Sequence, residues 1–177
     1  WHTITRGIAL CVDEAPENVR VLGASQGSVI MVLGATAAVT SLLLLISNHL
    51  TKIALNGLQI ANAIEDLKNK KFLNKAVEDG LISKRKEIEK DGVKMIVEEA
   101  KAALPSPIDG GQEAALKKAI EKYKKFTEQG GEVDFISPPD EEPDEENDNN
   151  DAIQQIQDVR ENIEKLRDTR EETRLLT

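Results

Sequence analysis

Between Val29 and Ile46 the chain reads VIMVLGATAAVTSLLLLI, 18 residues without a charge. A run of this length lies at the short end of what crosses a hydrocarbon core as a helix, and a helix that is apolar all round must otherwise be buried in protein. Either outcome makes the rest of the 177-residue chain organise around it. The candidate membrane or core positions are Val29, Leu33, Val39, Leu43 and Ile46. Thr36, Thr40 and Ser41 dilute the hydrophobicity and offer small side chains for helix packing, while no Trp or Tyr flanks the run as an interfacial belt. Arg6 and Arg20 precede the run; Lys52, Lys68, Lys70, Lys71 and Lys75 follow it, so a spanning helix would place its C-terminal side in the cytoplasm.

Composition argues for helices around this segment. Aromatic residues are only 3% of the chain, whereas a β-sandwich draws on aromatic and β-branched side chains. The expected fold class is therefore mostly α: a long apolar N-terminal helix, then amphipathic helices, with a short N-terminal β-hairpin formed by Ile8–Val12 and Val19–Leu22 around a polar turn. The net charge of -9 is local, because the eight acidic residues between Asp140 and Asp151 account for -8 of it. No basic excess remains to neutralise phosphates, so nucleic acid is not an expected partner. A single cysteine, Cys11, excludes an intrachain disulfide and fits a reducing compartment. The chain opens with Trp rather than Met, as a processed product or fragment would.

Five segments follow from these patterns: 1–24 with the strands, 25–104 with the apolar helix and an amphipathic stalk, 105–136, 137–151 and 152–177. In the stalk, Ile53, Gly57, Ile60, Ile64 and Leu67 recur at helical spacing as a packing seam. Asp79-Gly80 is the expected helix stop, followed by a helix over Leu81–Leu104 that Pro105-Ser106-Pro107 ends. Gly110-Gly111 and Gly130-Gly131 bracket a lysine-rich helix, Gln112–Gln129, with Leu116, Ala119, Ile120, Tyr123 and Phe126 as its apolar stripe. Its lysines are interspersed with Glu113, Glu121 and Glu128, which suits a solvated face better than a membrane-binding one. The acidic run at 140–151 reads as an extended linker and lacks the Gly and Glu placement of a calcium-binding EF-hand loop. Beyond it, Ile156, Val159, Ile163 and Leu166 keep a three-four spacing, the pattern of a short coiled-coil or docking helix that requires a partner surface within this chain or outside it.

One local motif carries a mechanism. Gly23-Ala24-Ser25-Gln26-Gly27 is a G-x-S-x-G sequence between the apolar run NVRVLG and the stretch SVIMVLGATAA. The arrangement of strand, sharp turn and helix resembles the nucleophile elbow of the α/β-hydrolase family of lipases, esterases and thioesterases. That resemblance implies Ser25 as nucleophile and the Gln26 amide as part of an oxyanion hole. The chain departs from the family elsewhere, since its only histidines are His2 and His49 and the second lies far along the following helical run. Read without the resemblance, Ser25 or Ser28 caps a helix. No zinc pattern or phosphate loop is present, and neither a metal nor a cofactor is expected.

The expected function is non-catalytic: a membrane-anchored or assembly protein that binds a protein partner or a second copy through amphipathic helices. Two alternatives are a fragment of a serine hydrolase acting through Ser25, and a membrane-inserting, pore-forming or translocating helical protein. The corresponding location is membrane-associated if the apolar run inserts, and cytoplasmic otherwise.

Overall fold

A computed structural model of the chain describes residues 1–25, 30–135 and 148–176, and of these the side chains of 1–20, 34–135 and 153–171. Five α-helices dominate: α1 (His2–Cys11), α2 (Ala37–Asn69), α3 (Lys75–Ala103), α4 (Gly110–Glu128) and α5 (Asp148–Leu176). Strands β1 (Arg20–Ser25) and β2 (Ile30–Gly34) pair antiparallel, with Arg20 opposite Gly34 and Ser25 opposite Ile30.

The N-terminal segment departs from expectation. The hairpin of Ile8–Val12 with Val19–Leu22 does not form, because residues through Cys11 are helical and the strand beginning at Arg20 pairs instead with Ile30–Gly34. A short continuous apolar run has no period that separates strand from buried helix. Here Ile4, Ile8 and Cys11 fall on one helical face and bury it against α4. Gly7 makes that crossing close: a Cβ there would lie 2.7 Å from the Ala115 carbonyl oxygen and 2.8 Å from the Ala119 Cβ.

The 18-residue apolar run is not one helix either. Its first part forms β2, where Ile30 and Val32 suit a strand. The apolar helix is Ala37–Asn69, started by Thr36, whose hydroxyl accepts from the Val39 amide and donates to a Glu14 carboxylate oxygen. Of the candidate positions, Val39, Leu43 and Ile46 are buried, Leu33 lies on β2 with its backbone paired to Val21, and Val29 is outside the described residues.

At 33 residues α2 is about 50 Å long and forms the spine. It ends ten residues before the expected stop at Asp79-Gly80, and α3 runs unbroken through Gly80 and Gly92. Asn74 supplies the reason: its side chain accepts from the Val77 amide at 3.0 Å and caps α3 there. Proline closes α3 as expected, and an Asp109–Gln112 capping box starts α4. Helix α3 returns antiparallel along α2, and a Cβ on Gly92 would meet the Ile53 side chain, which would have to shift to make room. The core cluster draws on every helix, including Ile8, Ile46, Leu50, Ile96, Ile120 and Val159, so the segments treated separately by sequence share one interior.

Candidate functional site

The candidate partner helix is occupied by its own chain. Along α5, Val159, Ile163 and Leu166 are buried and Ile156 is half-buried, and the helix lies against α2. Polar clamps fix it from both sides. Arg160 donates to Asp134 at 2.8 Å and to the Phe135 carbonyl at 3.0 Å, Arg167 pairs with Glu132, and Arg170 donates to the Thr127 carbonyl at 2.7 Å. On the α2 side, the Asn162 amide donates to the Asn48 side-chain oxygen at 3.0 Å. These four residues are therefore not free to hold an external partner while α5 is docked. The acidic run expected as a linker lies largely outside the described residues, and α5 begins within it, at Asp148.

Ser25 is the last residue of β1, and the next described element is the antiparallel strand β2. Ile30–Gly34, where the helix of a nucleophile elbow would run, is strand, and residues 26–29 lie outside the described residues. His49 contacts Glu99 across α2 and α3 at 2.6 Å. Among the described residues no group of three or more His, Cys, Asp or Glu side chains could hold a metal ion.

The buried polar groups serve the core. Tyr123, one of the largest fully buried side chains, donates its hydroxyl to Ser47 at 2.9 Å, and burial pushes its pKa well up. Trp1 packs edge-on against both Tyr123 and Phe126, at centroid distances of 5.5 Å and 5.1 Å. Cys11 donates to the Gly7 carbonyl at 3.1 Å; burial, with Asp109 and Asp13 adding to it, raises its pKa to about 11. Such a thiol is a poor nucleophile. At the junction of α3 and α4, Lys117 and Lys101 hold the Glu113 carboxyl below its usual range. No sequence signal near either residue couples Ser47 to Tyr123, which are 76 positions apart.

One region stays incompletely covered. From Leu58 to Met95, through the second half of α2 and most of α3, no residue is fully buried. Leu58, Ile60, Ile64 and Leu67 on α2 and Leu81 and Ile88 on α3 are nevertheless half-buried, and Val77, Ile82 and Met95 are exposed. The two helices thus form an arm that extends past the core, with an apolar seam that α5 covers at its base, where Leu166 and Arg170 meet Leu58 and Ala61, and that α2 and α3 share beyond it. Sequence periodicity located the α2 half of this seam. On α3 it placed Ile88 and Met95 on a helix over Leu81–Leu104, and the expected stop at Asp79-Gly80 left out only the first turns with Val77.

Fold and site together define a helical bundle with a projecting antiparallel helix pair. No family model, curated protein or solved structure matches the chain.

Proposed function

We propose that the protein is a non-catalytic assembly protein whose α2–α3 arm is the binding element, a second copy of the arm being its simplest partner. The observation that carries this reading is the absence of any fully buried residue between Leu58 and Met95 despite the row of large aliphatic side chains there. Two antiparallel helices cannot enclose a seam, and two such pairs facing each other complete a four-helix layer. A half-covered aliphatic side chain leaves about 1 kcal/mol of burial unrealised. Six per arm amount to on the order of 10 kcal/mol for two arms, comparable to the cost of association of about 4–15 kcal/mol. Assembly is accordingly weak and concentration-dependent.

Sedimentation velocity over a wide concentration range tests this with Ile64→Glu beside the unaltered chain. The unaltered protein is expected to shift to larger species as concentration rises. The variant should stay monomeric and, because Ile64 is half-buried and outside the core, lose about 1 kcal/mol, a fall of only about 2–4 °C in melting temperature. A chain that is monomeric throughout, or a variant that assembles equally well, refutes the reading.

A second reading is favoured by one observation: α2 is long and apolar enough to cross a membrane, with a mean hydropathy of 1.4 over its best 18-residue window and half of that window unburied. In it, α2 leaves the bundle and inserts. Against it, Val39, Leu42, Leu43, Leu44, Ile46, Leu50 and Ile53 are already buried by the chain itself, and the exposed positions between Ala37 and Ile53 are Ala37, Ala38, Ser41 and Lys52. Insertion would give membrane binding that resists alkaline carbonate and makes vesicles leak. The assembly reading expects neither.

A further inference from the structure

We propose that the tip of the arm, Lys68–Lys75, docks on an anionic phospholipid surface. The inference goes beyond assembly through the seam and uses different residues. The tip reads KNKKFLNK, with four lysines in eight residues and no acidic side chain. Glu65 and Asp66 lie one turn behind it and pair with Lys68 at 3.5 Å and Lys70 at 2.7 Å, and Glu78 and Asp79 begin the return helix. Lys71 and Lys75 form no ion pair among the described residues. The foremost part of the arm is therefore positive, and the negative charges sit behind it.

The turn has the geometry of a Schellman motif. The Phe72 amide donates to the Leu67 carbonyl at 2.9 Å and the Lys71 amide to the Lys68 carbonyl at 3.0 Å, with Lys71 at φ 59°. Glycine is the usual residue at that left-handed position, and the next residue is usually an apolar one that folds back onto the helix. Both habits are broken here. A lysine takes the position in place of the unstrained glycine, and Phe72 is 72% exposed, the most exposed large hydrophobic side chain among those described. A projecting aromatic ring ringed by lysines combines the two signals that stable interfacial binding requires: an apolar group for the boundary between headgroups and acyl chains, and cations for the phosphates around it. A soluble acidic protein could also seat an aromatic ring, but a stable protein interface takes about 800 Å² from each partner, more than an eight-residue turn presents, so the bilayer fits better.

Flotation with vesicles of phosphatidylcholine alone, and of phosphatidylcholine mixed with phosphatidylserine, tests this on the full chain. Binding is expected to the mixed vesicles only and to vanish at about 1 M salt, where exposed charges are screened within about 3 Å. Lys71→Ala with Lys75→Ala should weaken it about 25-fold, at roughly fivefold per lysine, and Phe72→Ala about tenfold, with melting temperatures unchanged. Equal binding to neutral vesicles, no binding to either kind, or tip variants that bind like the parent would each overturn the proposal. So would binding that survives salt and carbonate, which marks insertion of α2 instead. The seam is read separately by sedimentation without vesicles. Ile64→Glu should therefore still dock through its tip, and failure of self-assembly does not disturb this test.

Discussion

Replacing Leu166 by alanine should loosen α5 from the spine and expose the apolar face of α2 beneath it. Leu166 is 1% exposed and faces Leu50, Ile53 and Gly57 of α2 around a small cavity. Removing its three outer carbons forfeits about 2.4 kcal/mol of transfer free energy at about 0.8 kcal/mol per carbon. The void adds to this, because a neighbourhood that already contains a cavity has little to collapse with. The sum falls at about 3 kcal/mol, within the range of about 2–5 kcal/mol for buried leucine truncations. For a domain of this size each kcal/mol lowers the melting temperature by about 2–4 °C, so a fall of about 6–12 °C is expected. Circular dichroism melts give that number, and amide exchange along Val159–Leu166 should accelerate in the same variant. Ile153→Ala on the same helix, at a position 49% exposed, is the control and should change stability by less than about 0.5 kcal/mol. A Leu166→Ala protein that melts within about 1 °C of the parent would show that α5 is not docked as described.

Three further outcomes concern α1 and α3. Gly7→Ala puts a methyl group against the Ala115 carbonyl oxygen and the Ala119 Cβ, so it should cost about 1–3 kcal/mol by forcing α1 from α4, whereas Gly80→Ala, with nothing within 4 Å, should stabilise α3 by up to about 1 kcal/mol; urea titration separates the two. Cys11 gives a pH signature. Its folded pKa is raised from 9.0 to about 11, so its contribution to stability is fully present below about pH 9 and is lost as pH rises through about 11. Chemical denaturation across that range should show a steeper decline than in Cys11→Ser, which keeps only the part that the raised Tyr123 pKa adds above about pH 10, and an equal decline in the variant would assign it elsewhere.

Periodicity was legible wherever a helix kept one face apolar. The seam of Ile53, Gly57, Ile60, Ile64 and Leu67, the stripe of α4 and the Ile156 to Leu166 row all lie on helices as their spacing required. What misled was local ambiguity. Ile8–Val12 is too short for its period to be read, and its helical state is imposed by α4, a segment about a hundred residues away. The uncharged run from Val29 has one composition but two structures, split where Gly34 ends a strand and Thr36 caps a helix. The glycines of α3 look like breaks, yet Gly92 is kept inside a helix by the close approach of Ile53. The partner surface of α5 could not be read at all, because the complement of a helical stripe is another element's surface. The exposed Phe72 among lysines was written in the sequence, but only the turn geometry places it at the end of an arm.

The claim that the arm is an assembly element is tested most directly by cross-linking. Ile64→Cys on a Cys11→Ser background, treated with a short bismaleimide, should give covalent dimers whose yield grows with protein concentration. A cysteine at the exposed Lys86 should give few. Equal yields at the two positions, or no dimer at either, would contradict a seam that faces a second copy.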